Sequence, residues 1–126
     1  MKRRHCLALG TLAMLVAASP SFAHHAWPVN RSTQVTVKGT VTAYTWANPH
    51  VMIGLDVAAA DGTIEKWEVG GPSPNRMTGN GWDRSTLKAG DVITGTGFRF
   101  ADGSRIVQLD RIVMADGREM LLYGRR

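Results

Sequence analysis

Three histidines hold most of the chemistry this sequence could perform. His24 and His25 are adjacent, and His50 ends the motif Trp46-Ala47-Asn48-Pro49-His50. An imidazole on the first residue of a finished chain can chelate a metal together with the free α-amine beside it. If the chain is cut before His24, its amine and its ring Nδ1 form such a pair, and His25 or His50 supplies a further nitrogen. Nitrogen-rich, planar-leaning donor sets suit Cu(II), which also heads the affinity order of the common divalent metals. Strand alternation puts Met52 on the same face as His50, where a thioether would suit Cu(I). A fixed zinc site fits less well, because two neighbouring histidines on a loose leader converge poorly on a tetrahedron. The expected metal ligands are therefore His24, His25 and His50, and the expected cofactor is copper. Against this stands the plain reading: terminal residues fray, His50 satisfies a turn, and Met52 fills a core gap.

The same motif offers a second use. Trp46, Asn48 and Trp67 could line a ligand-binding mouth beside His50, with Asn48 giving both donors and acceptors. A small ligand, a glycan or a segment of a partner protein would then bind without metal. Structural roles compete here too: Trp67 and Trp82 read as core and as a plug at the end of a barrel.

Catalysis finds no support. There is no G-x-S-x-G elbow and no H-E-x-x-H helix, and the single cysteine, Cys6, lies near the amino terminus. Asp56, Glu65 and Glu68 read as a solvated face. Asp61-Gly62, Asp102-Gly103 and Asp116-Gly117 read as turns, since the twelve-residue ligand spacing of a calcium loop does not follow them. No catalytic residue is expected.

The elements that would position these residues begin with a segment that is removed. Lys2, Arg3 and Arg4 precede an apolar run from Cys6 to Ala18, Ser19-Pro20 breaks it, and Ser21-Phe22-Ala23 presents small residues to a peptidase. Residues 1–23 thus read as a cleavable signal peptide, with the general secretory route preferred to the twin-arginine one. The run is short of the ~20 residues of a permanent anchor. A periplasmic or secreted product starting at His24 is expected, with no stable membrane anchor. Of 15 Lys and Arg, three leave with the signal peptide, so 12 basic residues face 10 acidic ones. The excess sits in Arg125-Arg126, and no basic patch for nucleic acid remains.

Residues 24–33 lack periodicity and read as an extended leader to a single domain, 34–126. From Gln34, Val35, Val37, Gly39, Val41 and Ala43 alternate with polar residues, the period of a half-buried strand. Gly39 marks a bend, and Asn48-Pro49 a turn. Val51, Ile53, Leu55 and Val57 form a second strand, and Thr63 to Val69 a third. Ser73-Pro74 suits the cap and first position of a short helix. Asp91 to Phe100, Arg105 to Met114 and Arg118 to Tyr123 complete five to six strands. Three strands, a helical insertion and further strands predict an all-β fold, an OB-like small β-barrel.

Several blocks together have a familiar look. His24-His25, Lys38-Gly39-Thr40-Val41-Thr42, Trp46-Ala47-Asn48-Pro49-His50, Gly71-Pro72-Ser73-Pro74-Asn75, Gly81-Trp82, Leu87-Lys88-Ala89-Gly90-Asp91 and Asp116-Gly117-Arg118 resemble the bacterial domain-of-unknown-function family sixty-one fifty-two, small exported proteins. Met77, Thr78, Gly79 and Asn80 stand where that family's helix usually carries leucines. The resemblance implies export and a compact β domain, and it brings no reaction.

Overall fold

A computed structural model describes residues 26–124. The first 25 residues, and with them His24, His25 and the cleavage site, lie outside the described residues. Among those described, no helix is long and apolar enough to cross a membrane. Six strands and one helix follow in the order β1 (Val29–Thr45), β2 (Met52–Ala58), β3 (Ile64–Gly70), α1 (Pro74–Thr78), β4 (Val92–Phe100), β5 (Ile106–Met114) and β6 (Glu119–Leu121). The strands lie side by side as β3-β2-β1-β4-β5-β6, and β3 also pairs with β5. That last pairing is parallel, through Glu68, Val69 and Gly70 against Ile106, Val107 and Gln108. It closes five strands into a ring with β6 on its flank, the OB-like barrel the strand order predicts.

The long first strand makes closure possible. Its earlier part pairs with β4, from Val29 against Phe100 to Thr40 against Val92. Its last residues, Thr40 to Thr45, pair with β2. Between the two, Gly39 passes so close to β2 that a β-carbon there would stand 2.7 Å from the Asp56 carbonyl oxygen. Only glycine allows the strand to serve both halves at that separation. The strand also starts earlier than alternation indicated, at Val29 and not Gln34. Polar residues Asn30 to Gln34 hide it from a periodicity test, and all five are exposed.

Alternating side chains fill the ring: Val37, Val41, Ile53, Leu55, Val69, Ile93, Val107, Leu109 and Ile112 are all buried. Spacing changes from two to three between Leu109 and Ile112 because Asp110 is an extra residue. Thr96 faces Arg111 while Gly97 faces Leu109. Such a bulge bends its strand and frees a carbonyl, and the Asp110 oxygen accepts a 2.9 Å hydrogen bond from the Leu122 amide. The five-residue helix places Met77 inside the core. Ser73 stands at its cap, but the side chain makes no capping bond. Its carbonyl instead accepts from the amides of Arg76 and Met77.

Trp82 is buried at 1% exposure, its amide donates to the Met77 carbonyl at 3.3 Å, and its Nε1 donates to the Leu121 carbonyl at 2.8 Å. It plugs the core as the sequence indicated. Trp82→Ala would remove that volume and orphan the carbonyl, a loss of about 3–5 kcal/mol. Chemical denaturation should show it as a lower midpoint with an unchanged slope.

The turns behave as their residues imply. Gly62, Gly103 and Gly117 adopt φ of 85°, 79° and 87°, values that glycine reaches without penalty. The carboxylate of the preceding aspartate accepts a backbone amide two residues on: Thr63 to Asp61, Ser104 to Asp102, Arg118 to Asp116. Hydrogen bonds from Thr63, Ser85, Lys88 and Ser104 hold Asp61, Asp83, Asp91 and Asp102 below the ordinary 3.8. A carboxyl depressed only in the folded state contributes stability above its unfolded pKa and loses it as pH falls through the folded one. The melting temperature should therefore hold steady down to about pH 5 and drop below about pH 4. Asp83→Asn should make that acid slope shallower.

Candidate functional site

The core-facing positions of β4 and β5 identify the face on which a groove forms. Val107 and Leu109 point inward, so Gln108 between them points out; by the same alternation Phe98 and Phe100 point outward from β4, beside inward-facing Gly97. On β2, Ile53 is fully buried, and Met52 turns outward with His50. This outer wall would be bare but for the chain's two ends. The segment before β1 crosses it, tied by the Ala101 amide to the Pro28 carbonyl at 2.8 Å. Tyr123 covers it from the other end.

Between these covers runs a groove of about 850 Å³, a size that suits a small organic molecule. Trp27 comes from the segment before β1, Arg31 from β1, Asn48, Pro49 and His50 from the β1–β2 loop, Ser73 and Arg76 from the start of α1, and Gln108 and Tyr123 from β5 and the tail. No aspartate or glutamate lines it. The loop carrying His50 is held against Pro72 by two backbone bonds, Val51 amide to Pro72 carbonyl and Gly71 amide to Val51 carbonyl, each 3.1 Å.

Glycine makes this approach possible. A β-carbon on Gly70 would stand 2.6 Å from the Val51 oxygen, 2.7 Å from Met52 Sδ and 3.1 Å from Trp27 Cη2. One on Gly71 would stand 2.6 Å from Leu122 Cδ2. The Gly70-Gly71-Pro72 run is thus a packing device: it lets Trp27, Met52 and the tail close over the ring. Met52 does share a face with His50, and Trp27 lies over both.

Trp27 meets the His50 ring edge-on with centroids 4.9 Å apart, and meets Phe100 at 5.6 Å. Trp27 Nε1 and His50 Nδ1 are both buried without a hydrogen-bond partner. A buried polar atom left so costs about 1–3 kcal/mol, so two in one wall mark a place where something polar belongs. Opposite them runs a satisfied relay. Arg31 Nη2 donates to Gln108 Oε1 at 3.0 Å, and Gln108 Nε2 donates to the Tyr123 hydroxyl oxygen at 2.6 Å. Gln108 is only 7% exposed, and the two bonds fix its amide orientation. Arg76 lies over the Tyr123 ring at 5.7 Å and Arg31 over Phe98 at 5.4 Å. Burial pushes the Tyr123 hydroxyl above its usual pKa, against the Gln108 bond and the two arginines.

The expected site residues divide. His50 and Asn48 line the groove; Trp46 and Trp67 stand outside it. Trp46 packs near Tyr44, centroids 6.0 Å apart, and Tyr44 donates to the Asp83 carbonyl at 2.8 Å. Trp67 faces inward with Leu55, its ladder partner. Its Nε1 donates to Glu65, and Arg99 covers its ring at 5.0 Å, so it closes the rim of the barrel. Glu65 and Asp56 are paired with Arg105 and Lys66, the solvated face their positions implied. Among the described residues, no three of His, Cys, Asp and Glu converge on a point where a metal could sit; His24 and His25 lie outside them.

Arg31, Arg76, Gln108 and Tyr123 were not legible as a site. One signal was present: Gln108 interrupts the apolar run Ile106-Val107-Gln108-Leu109.

Comparison with known proteins adds a family and little else. No curated protein matches the chain. Among solved structures it is similar to the crystal structure of the ZRD-deleted mutant of TiaS in complex with agmatine, with a TM-score of 0.49 and 18% identity over 74% of this chain. The match spans 23% of that protein's length, and a likeness at this level carries no argument about fold or ligand. Residues 12–108 match a family of unknown function as a whole, which is the family that the sequence motifs resemble. The chain belongs to the family of unknown function DUF6152.

Proposed function

We propose that this chain is an exported binding protein that holds a copper ion between the histidines following its signal peptide and His50. Connectivity is the observation that carries the reading. Ala26 and Trp27, which directly follow His25, line the same groove as His50, and the Trp27 ring lies against the His50 imidazole. Consecutive Cα atoms are 3.80 Å apart, so His25 is bonded to a wall residue of the groove that contains His50. The unpartnered His50 Nδ1 is a nitrogen with no competing protein donor, as a metal ligand needs. A mature amino terminus at His24 adds the amine and its imidazole. Copper fits that set by affinity order and by preference for nitrogen. Export rests on the amino-terminal pattern and puts the protein in the periplasm or outside the cell, and no catalytic role is assigned.

Copper titration of the secreted product, with its starting residue checked by intact mass, tests the reading. One equivalent bound by protein beginning at His24, and weaker binding by His50→Gln, is the expected result. Identical binding by protein whose His24 amine is acetylated would sink it.

A second reading, a metal-free ligand-binding module, has its own observation. The groove is large, cationic and lined by aromatic side chains, more than a single ion requires.

A further inference from the structure

We propose that the half of the groove between Arg31, Arg76 and Tyr123 binds a small aromatic carboxylate. The inference stands apart from copper, because its charged partners, Arg31 and Arg76, are not among the proposed copper ligands.

The first argument is one of charge. Two guanidinium groups line the groove, and no carboxylate does. The ion pairs among the described residues use Lys66, Lys88, Arg105 and Arg111, so neither Arg31 nor Arg76 is neutralised by a protein anion. Arg76 lies over the Tyr123 ring, and Arg31 is joined to the Tyr123 hydroxyl through Gln108, so both flank one aromatic side chain. A cation entering this half would be repelled; an anion would meet two partners.

Geometry supplies the second. Each guanidinium lies over an aromatic ring, Arg31 on Phe98 and Arg76 on Tyr123. Arg31 gives one N–H to Gln108, and the N–H groups left on the two guanidiniums can take a carboxylate in a paired fork. Arg31 is further fixed by its bond to Gln108, whose other bond to Tyr123 locks the relay. Such preorganisation reduces the ordering cost of binding.

Size and composition settle the class. A groove of about 850 Å³ has room for an organic body beside the anionic group. Trp27, Pro49, His50 and Pro72 provide flat or apolar walls for an organic body. The polar balance of the arginines and the unpaired Trp27 Nε1 is a surplus of donors, so the ligand must bring acceptors. An aromatic ring carrying a carboxylate meets each demand.

Benzoate is a suitable probe, titrated into the mature protein in the presence of a chelator and followed by the indole N–H resonance of Trp27. That resonance is identified by its loss in Trp27→Phe. Benzoate should shift it saturably, and the uncharged isostere benzamide should bind at least about tenfold more weakly, because a bond to a charged group is worth more than a neutral one. Arg76→Met and Arg31→Met should each weaken benzoate at least about tenfold while melting as the parent does, and Arg31→Lys should fall between. Equal binding of benzoate and benzamide, or no saturable shift with benzoate, would overturn the proposal. So would inorganic phosphate displacing benzoate at equal concentration, since charge alone would then explain binding. The chelator removes metal throughout, so failure here leaves the copper reading intact, and failure of copper binding leaves this one intact.

Discussion

Gly97→Ala should lower the melting temperature by more than about ten degrees. The glycine sits on β4 at the bulge, and a β-carbon there would stand 2.0 Å from the Gln108 oxygen and 2.8 Å from Leu109 Cα. Both atoms belong to the β5 backbone, so no change of rotamer relieves the contact. Overpacking a core usually costs about 1–3 kcal/mol because side chains can give way; a backbone collision belongs at or above the top of that range. Against a total stability of about 5–15 kcal/mol, a loss of about 4 kcal/mol is a quarter of the margin or more. Gly95→Ala is the internal control. Its β-carbon would meet Leu109 Cδ2 at 2.8 Å, the movable end of a side chain, and should cost markedly less. Melting of Gly97→Ala within a few degrees of the parent would show that β4 and β5 are not packed as described. The position matters for function as well, because Gln108 holds the Arg31–Tyr123 relay from the strand that would be pushed away.

Acetylating the His24 amine should lower copper affinity at least about a hundredfold, roughly 2.7 kcal/mol. Acetylation turns the His24 nitrogen from a basic amine into an amide and supplies no replacement amine. Two donors on one residue act as a chelate, in which the second binds at a high effective concentration once the first is held. Removing one therefore costs more than losing an independent ligand. His50→Gln removes a separately tethered nitrogen and should cost less, about tenfold or 1.4 kcal/mol. The order of the two effects is the diagnostic part. If His50→Gln abolished binding while acetylation did nothing, the ion would sit at His50 with ligands other than the terminal amine. Isothermal titration on the three proteins, each confirmed to melt normally, reads both values. Binding should also weaken as the solution is acidified, because each nitrogen must lose its proton to ligate.

How far such sites can be read in advance depends on how the residues are joined. Val35 to Val41 and Ile53 to Val57 showed their strands through a period of two, because one face of each is buried and the other is not. Asp61-Gly62, Asp102-Gly103 and Asp116-Gly117 showed their turns because glycine alone reaches those positive φ values at no cost. These are local properties, decided within a few residues by sterics and burial. The proposed chelation by His24 is local in the same sense, since it depends on neighbours in sequence.

The groove had no such local sign. Arg31, Arg76, Gln108 and Tyr123 are brought together by the parallel closure of β3 on β5, by the Asp110 bulge that frees a carbonyl for Leu122, and by the amino-terminal segment crossing the outer wall. Trp46 and Trp67 carried the expected residue types yet face Tyr44 and the barrel rim. Sequence alone determined the strands, the turns, the small-barrel class and the histidine chemistry open to the chain, because short-range sterics and burial periodicity govern those. Only the tertiary structure decided which polar side chains share a wall. Their partners lie up to 77 positions apart, and no pattern along a strand encodes what another strand's outer face will meet.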